Sequence, residues 1–171
     1  MINTKLQDAI NKQINAEIYS AYLYLSMRAY FASNDLPGFA NWMYVQALEE
    51  FTHADKFYNH IISRGGKVKL TAIDAPETNW KDALAVAENV LSHEQKVTGL
   101  INDLVNLATD EKDHAAKSFL QWFVDEQVEE ESNAMEMVRK IKMVKNDPGA
   151  MFMLDKEAGA RVFVPPIAKG A

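Results

Sequence analysis

The chain has 171 residues, 48% of them hydrophobic and 25% charged, and a formal net charge of −6. This balance is typical of a folded globular domain, and the acidic charge argues against nucleic-acid binding. The absence of cysteine excludes disulfide frameworks, zinc ribbons and cysteine-ligated clusters. No apolar segment approaches the ~20 residues of a membrane span, and the first residues do not resemble a secretory signal, so we expect a cytoplasmic protein without a membrane anchor.

Two long helices are predicted in the first part of the chain. Apolar residues recur at three- and four-residue steps over residues 4–33, with Thr4 and Gln7 matching a capping box at the start. Turn-forming residues follow at 33–35. Pro37 then suits the first turn of a second helix, predicted over residues 37–64 and ended by two glycines.

Residues 65–79 lack a helical period and contain Pro76, which predicts a long connection. Asn79 is the predicted N-cap of the third helix, with Asp82 in its first turn. A fourth helix is predicted over residues 111–145. An extended loop of about 15 residues reaches ~50 Å, and a helix of about 28 residues is ~42 Å long. The fold class predicted is therefore all-α, a four-helix bundle with one long crossover loop.

The end of the chain predicts a short fifth helix and a tail. Asp147 and Pro148 match a helix start, and the helix should end near Glu157. We predict one domain over residues 1–158 and an extended tail over 159–171. Residues 150–154 are strongly apolar but too few to be stable alone. They must pack on their own bundle or on a symmetric neighbour, and the sequence leaves both open.

Polar residues interrupt the apolar face near the middle of all four bundle helices: Glu17, then Glu50 and His53, then Glu94, then Gln127 and Glu130. Buried carboxylates are unfavourable unless protons or cations neutralise them. Glu50 and His53 share one helix face at i, i+3, and carboxylates with one imidazole suit Fe(II), Mn(II) or Zn(II). In this hypothesis Glu50 bridges two ions, Glu17 and His53 complete one site, and Glu94 and Glu130 complete the other.

Neighbouring residues support weaker hypotheses. Glu49, Glu126 and Glu129 form either a third metal site or a solvated acidic face. Tyr24, seven residues after Glu17, either hydrogen-bonds a ligand or donates an electron, or is a core tyrosine. The remaining histidines show no ligand spacing and are predicted at the surface or at helix caps: His60, His93 and His114.

At these residues the chain resembles the ferritins, most closely the non-haem ferritins of prokaryotes, over nearly its whole length. The resemblance lies in residues 14–25, 49–54 and 122–131 and in the helix around Glu94. It implies the following iron ligands: Glu17, Glu50 and His53 for one ion, Glu50, Glu94 and Glu130 for the second, and Glu49, Glu126, Glu129 and Glu130 for a third, with Gln127 as an outer group. The family also implies a homo-oligomeric cage of twenty-four subunits that stores ferric mineral.

The activity implied is that of a ferroxidase, which oxidises paired Fe(II) with O₂ or peroxide. Bacterioferritins and rubrerythrins carry a second Glu-x-x-His motif on the last bundle helix, where this chain has Gln127 and Glu130. Bacterioferritins bind haem through a methionine just before the ligand histidine, where this chain has Thr52, so no haem is expected. A di-iron oxygenase and a non-redox helical assembly protein are the alternatives.

Overall fold

The computed structural model describes residues 1–165, which form five α-helices and no strand. They are α1 (Thr4–Ser33), α2 (Pro37–Ser63), α3 (Ala83–Asp110), α4 (His114–Val144) and α5 (Pro148–Ala158). Short turns make α1 pack antiparallel to α2 and α3 to α4, and residues 64–82 cross between the two pairs. The predicted fold class, a four-helix bundle with one crossover and a short fifth helix, is confirmed.

Side-chain caps fix where the first helix begins, and the predicted capping box is wrong. The N-cap is Asn3, whose Oδ1 accepts from the backbone N–H of Leu6 at 2.9 Å. Gln7 instead accepts from the backbone N–H of Lys67 at 2.8 Å through Oε1. The amide therefore anchors the start of the crossover and does not return to the helix start.

The predicted starts of the third and fourth helices also need correction. Asp82, not Asn79, is the N-cap of α3 and accepts from Ala85 N at 2.8 Å. Asp113 caps α4 and accepts from Ala116 N at 3.0 Å, so that helix begins after residue 111. In both cases the carboxylate closer to the apolar repeat satisfies the free N–H groups of the first turn.

The fifth helix is fastened to the start of α2. Asp155 is buried, and its carboxylate accepts from the backbone N–H of Gly38 at 3.1 Å and of Phe39 at 2.8 Å. A Cβ on Gly38 would lie 1.6 Å from the carbonyl oxygen of Asp155, so only glycine permits this approach. Residues 161–165 form no helix or strand. The rest of the predicted extended tail, 166–171, lies outside the described residues.

Two apolar clusters fill the bundle, one towards each end. One contains Met27, Phe39 and Ile141, and the other contains Ile10, Phe57 and Leu120. Between the two clusters every bundle helix buries polar side chains. Within residues 1–165, no helix combines the length and the apolarity that crossing a bilayer requires.

Candidate metal centre

The polar layer between the two apolar clusters contains every acid predicted to face the core. Glu17, Glu50, Glu94 and Glu130 expose 5% of their surface or less. Each comes from a different helix of the bundle, near its middle. Core positions of this kind normally hold aliphatic side chains, so the layer is a departure that needs a function.

Glu17, Glu50 and His53, here called the first half-site, lie close enough to share an ion. One potential ligand atom from each residue lies within 4.8 Å of the other two. Nδ1 of His53 is 3.3 Å from Oε2 of Glu50, its neighbour one turn earlier on α2. The imidazole and the Trp122 ring pack at an angle of 72°, with centroids 5.5 Å apart, which limits the orientations open to His53.

Two oxygens of the first half-site, Oε2 of Glu17 and Oε2 of Glu50, are buried without a hydrogen bond among the described residues, and the second of them has only the ion-pair contact with His53 at 3.3 Å. Burial, and then the charge of Glu50, raises the pKa of Glu17 to about 8. Burial likewise raises the pKa of Glu50 to about 7, although His53 acts against this shift. Both carboxylates therefore need a proton or a cation near neutral pH.

The pKa of His53 is raised, whereas burial alone would lower it. Burial lowers its pKa, but the carboxylates of Glu126 and Glu50 outweigh this and raise the pKa well above its usual value. The imidazole therefore acts as a proton-bearing cation among the acids when no metal ion is bound. A metal ion that binds His53 must displace that proton.

Glu94 and Glu130, here called the second half-site, are held by neutral donors. Tyr24 Oη donates to Oε1 of Glu94, and Gln127 Nε2 donates to Oε2 of Glu94 at 3.2 Å. Gln46 Nε2 donates to Oε2 of Glu130 at 3.0 Å. Burial, and then the charge of Glu130, raises the pKa of Glu94 to about 7. Burial also raises the pKa of Glu130.

The acids of the predicted third site are more dispersed. Oε2 of Glu49 forms an ion pair with Nη2 of Arg161 at 2.6 Å, and burial raises the pKa of Glu49 to about 7. Oε1 of Glu126 lies 3.8 Å from Nε2 of His53. Glu129 is exposed. The geometry thus brings Glu49 and Glu126 beside the centre and leaves Glu129 at the surface.

Sequence reasoning missed three partners of the acids. Gln13 donates to Oε1 of Glu17 at 2.9 Å, and Gln46 to Glu130. Both glutamines are buried, and each lies four residues before an acid of its own helix, a spacing that could have revealed them. Arg161 lies beyond α5, and no sequence pattern connects it with the centre.

One of the other three histidines was predicted wrongly. His93 is buried, with Nε2 2.8 Å from Oγ of Ser20, so it is neither a surface residue nor a cap. Burial lowers its pKa to about 4, which keeps it neutral. His60 is half-buried and stacks on Phe119, and His114 is exposed at the start of α4.

The arrangement concentrates four carboxylates and one imidazole in a space walled by apolar side chains. Hard oxygen ligands with one imidazole suit divalent iron, manganese or zinc. Carboxylates also favour the higher charge of an oxidised ion, so the same ligands support metal oxidation. The partnerless oxygens of Glu17 and Glu50 fit this reading, because a cation would supply the missing interactions.

Comparisons with known proteins agree with this geometry. Residues 7–144 match the family model "Ferritin-like domain". A bacterial non-heme ferritin of Bacteroides fragilis is 47% identical over 94% of this chain and 100% of that protein. One of Staphylococcus aureus is 39% identical over 95% and 98%. The crystal structure of an open-pore ferritin from Archaeoglobus fulgidus is 50% identical, with a TM-score of 0.93 over 95% of this chain and 100% of that one.

Proposed function

The chain belongs to the ferritin family and is an iron-storage protein, and we propose that it oxidises two Fe(II) ions together between its four bundle helices. The observation that carries this proposal is the buried layer of four carboxylates and His53, in which two oxygens have no hydrogen-bond partner among residues 1–165. Iron is the substrate, and the ferric product is stored as mineral.

In this proposal the two half-sites each hold one Fe(II). Glu17, Glu50 and His53 bind the first ion, and Glu94 and Glu130, with Glu50 as the bridge, bind the second. The position of Glu50 supports a bridging role, because its carboxylate interacts electrostatically with His53 and with both acids of the second half-site. Two neighbouring ions can supply two electrons at once, reducing O₂ to hydrogen peroxide or hydrogen peroxide to water.

The chain's own residues manage protons and orientation. Glu17, Glu50, Glu94 and His53 release protons as Fe(II) binds, because their raised pKa values keep much of the site protonated near pH 7. Gln127 orients Glu94 from outside the ligand set. Tyr24 is hydrogen-bonded to the same carboxylate and is placed to supply an electron or a proton.

The third site and the absence of haem remain proposals. We assign Glu49 and Glu126, with Glu130, to a weak third site, and Glu129 would have to turn inward from its exposed position. Thr52 precedes His53, and its hydroxyl donates to the carbonyl of Leu48 at 2.9 Å. A threonine bonded in this way offers no thioether to a haem iron.

We further propose assembly into a cage of twenty-four copies in the cytoplasm. Leu154 of α5 packs into the bundle, but Phe152 and Met153 expose 68% and 62% of their surface. Exposed apolar side chains on a short helix are typical of surfaces that a neighbouring copy covers. The similarity to ferritins supports a homo-oligomeric cage.

The test is anaerobic loading of the full-length protein with Fe(II), followed by exposure to air. Absorbance reports the oxidation, and size-exclusion chromatography with mass detection reports how much iron stays with the particle. We expect fast oxidation of two irons per chain, and then slower uptake of many more into a large soluble particle.

A small oligomer that retains two irons or fewer per chain would contradict storage and favour an oxygenase or a structural role. Replacing air with hydrogen peroxide at the same iron load compares the two oxidants. The ratio of the two initial rates identifies the preferred one.

A further inference from the structure

Arg161 lies beyond α5, yet its guanidinium reaches two groups of the acid layer. Nη2 lies 2.6 Å from Oε2 of Glu49. Nη1 donates to Oε1 of Gln46, whose own Nε2 donates to Oε2 of Glu130 at 3.0 Å. The positive charge therefore touches one acid directly and a second acid through one amide.

The position of Arg161 is anchored by its backbone as well as by its side chain. Asn41 Nδ2 donates to the carbonyl oxygen of Arg161 at 2.9 Å and to that of Gly159 at 3.3 Å. The guanidinium carbon lies 5.5 Å from the centroid of the Trp42 ring, within the range of a cation–π contact. The preceding helix is itself fixed to α2 by Asp155.

We propose that Arg161 is a built-in counter-cation, which weakens the binding of a third metal ion at Glu49 and positions Glu130 through Gln46. This inference rests on the proposed function. A fixed guanidinium and a divalent ion repel one another at the same carboxylate, so an ion can bind Glu49 only when Arg161 moves away. The chain after α5 thereby limits how many ions the centre holds.

Arg161 is a positioning residue for Glu130 and not a metal ligand. The guanidinium donates to Oε1 of Gln46, which leaves Nε2 of that amide directed at Glu130. Without Arg161 the Gln46 amide is free to rotate by about 180°, because its oxygen and nitrogen have similar size and differ only in that the nitrogen donates and the oxygen accepts. The side chain thus affects the second half-site without touching it.

The experiment counts bound Zn(II), which has the charge of Fe(II) but no redox chemistry. Apo protein of full length is titrated calorimetrically, and equilibrium dialysis confirms the stoichiometry. Wild type is compared with Arg161→Gln, which removes the charge, and with Arg161→Lys, which keeps it. Lys140→Gln is the matched control, because Lys140 lines the same cavity as Arg161 but pairs with Glu136 and Glu157 rather than with an acid of the layer.

We expect two tightly bound ions per chain in wild type, in Arg161→Lys and in Lys140→Gln. In Arg161→Gln a third ion should bind at least about ten-fold more tightly than in wild type. Adding Glu49→Gln to Arg161→Gln should abolish that gain. If Arg161→Lys binds the same number of Zn(II) ions as wild type, the effect depends on the positive charge and not on how the guanidinium docks the chain end.

Two results would overturn the inference while leaving the proposed function intact. In the first, wild type binds two ions, and Arg161→Gln binds the same two with unchanged affinity and gains no third ion. The other is a gain of equal size in Lys140→Gln, which would assign the effect to net charge. A wild type that binds no pair of ions would instead overturn the proposed function, and the inference with it.

Discussion

In the first half-site Glu17 and Glu50 each leave a buried oxygen without a hydrogen-bond partner among residues 1–165, whereas in the second half-site Tyr24, Gln127 and Gln46 donate to the acids. Both half-sites bury carboxylates equally deeply. Three neutral donors therefore hold the second half-site in place before any metal binds, while the first has only Gln13 on Glu17 and otherwise depends on protons or on a cation.

This contrast has a physical basis in the cost of burying charge. A hydrogen bond to a carboxylate favours its charged form, and it also fixes the direction of the lone pairs. The second half-site is therefore preorganised, but its carboxylate oxygens already accept hydrogen bonds that a metal ion would have to compete with. The first half-site has one neutral donor, Gln13, and two buried oxygens without a hydrogen bond, beside an imidazole that bears a proton. Four predictions follow from this difference.

The largest effect is expected from Glu50→Ala, which removes the carboxylate between the two half-sites. Initial Fe(II) oxidation should fall by about 100-fold or more, because both ions lose a ligand. The bundle should still fold, since one acid fewer relieves repulsion in the apo state. Stopped-flow absorbance after mixing with aerated buffer measures the rate, and helical circular dichroism checks the fold. An initial rate close to that of wild type would remove Glu50 from the ligand set.

The next prediction compares the two half-sites by removing one carboxylate from each in turn. Glu17→Gln and Glu94→Gln should each reduce Zn(II) binding from two ions per chain to one. The ion that remains in Glu94→Gln should bind about ten-fold more tightly than the one in Glu17→Gln, because the first half-site has one neutral donor to displace, Gln13, whereas the second half-site has three.

Calorimetric titration of the apo protein provides both numbers. Glu136→Gln, an exposed acid on α4 that pairs with Lys140, is the control for net charge. Equal affinities in the two variants would show that the internal donors of the second half-site have no effect on metal binding.

A third prediction concerns the pH dependence of apo stability. The folded chain holds a proton on Glu17 up to a pH of about 8, whereas the unfolded chain loses it near the ordinary value of 4.5. Between these values the folded state binds more protons, so the free energy of unfolding decreases as pH rises. Glu50, Glu94 and His53 shift in the same direction.

Differential scanning calorimetry at several pH values tests this. We expect the free energy of unfolding to fall by about 3 kcal/mol or more from pH 5 to pH 8. Saturating Zn(II) should remove most of the decrease, and Glu17→Gln should reduce it without metal. A stability that is constant or rises over this range would contradict the raised pKa values.

The sequence predicted the bundle because apolar periodicity and turn residues are local signals. It also predicted which acids of the four bundle helices are buried, since an acid within an apolar stripe has only one direction to face. It failed where several cap candidates stood close together, as at Asn79 and Asp82. There the choice depends on where the crossover lets the helix start.

Partners distant in sequence were the second kind of failure. The contact of Arg161 with Glu49 joins residues 112 positions apart and depends on how α5 packs on α2. His93 is buried because Ser20 of α1 faces it, which its own helix does not reveal. Such contacts follow from the assembled fold, so no periodicity within a single helix could predict them.

The smallest effect is expected from Tyr24→Phe, which makes the second half-site more like the first. Loss of the hydroxyl leaves Oε1 of Glu94 without its donor and raises the pKa of Glu94, because this hydrogen bond lowers it. Phenylalanine keeps the ring that meets His93 edge to face. Zn(II) stoichiometry should therefore stay at two, apo stability should fall by about 1 kcal/mol, and oxidation should slow by less than about ten-fold.

Stopped-flow oxidation measures the effect in Tyr24→Phe and in the control Tyr30→Phe, which changes a tyrosine of the same helix that packs on Trp80. A loss as large as that of Glu50→Ala would mean that Tyr24 takes part in electron transfer and is more than a donor to Glu94.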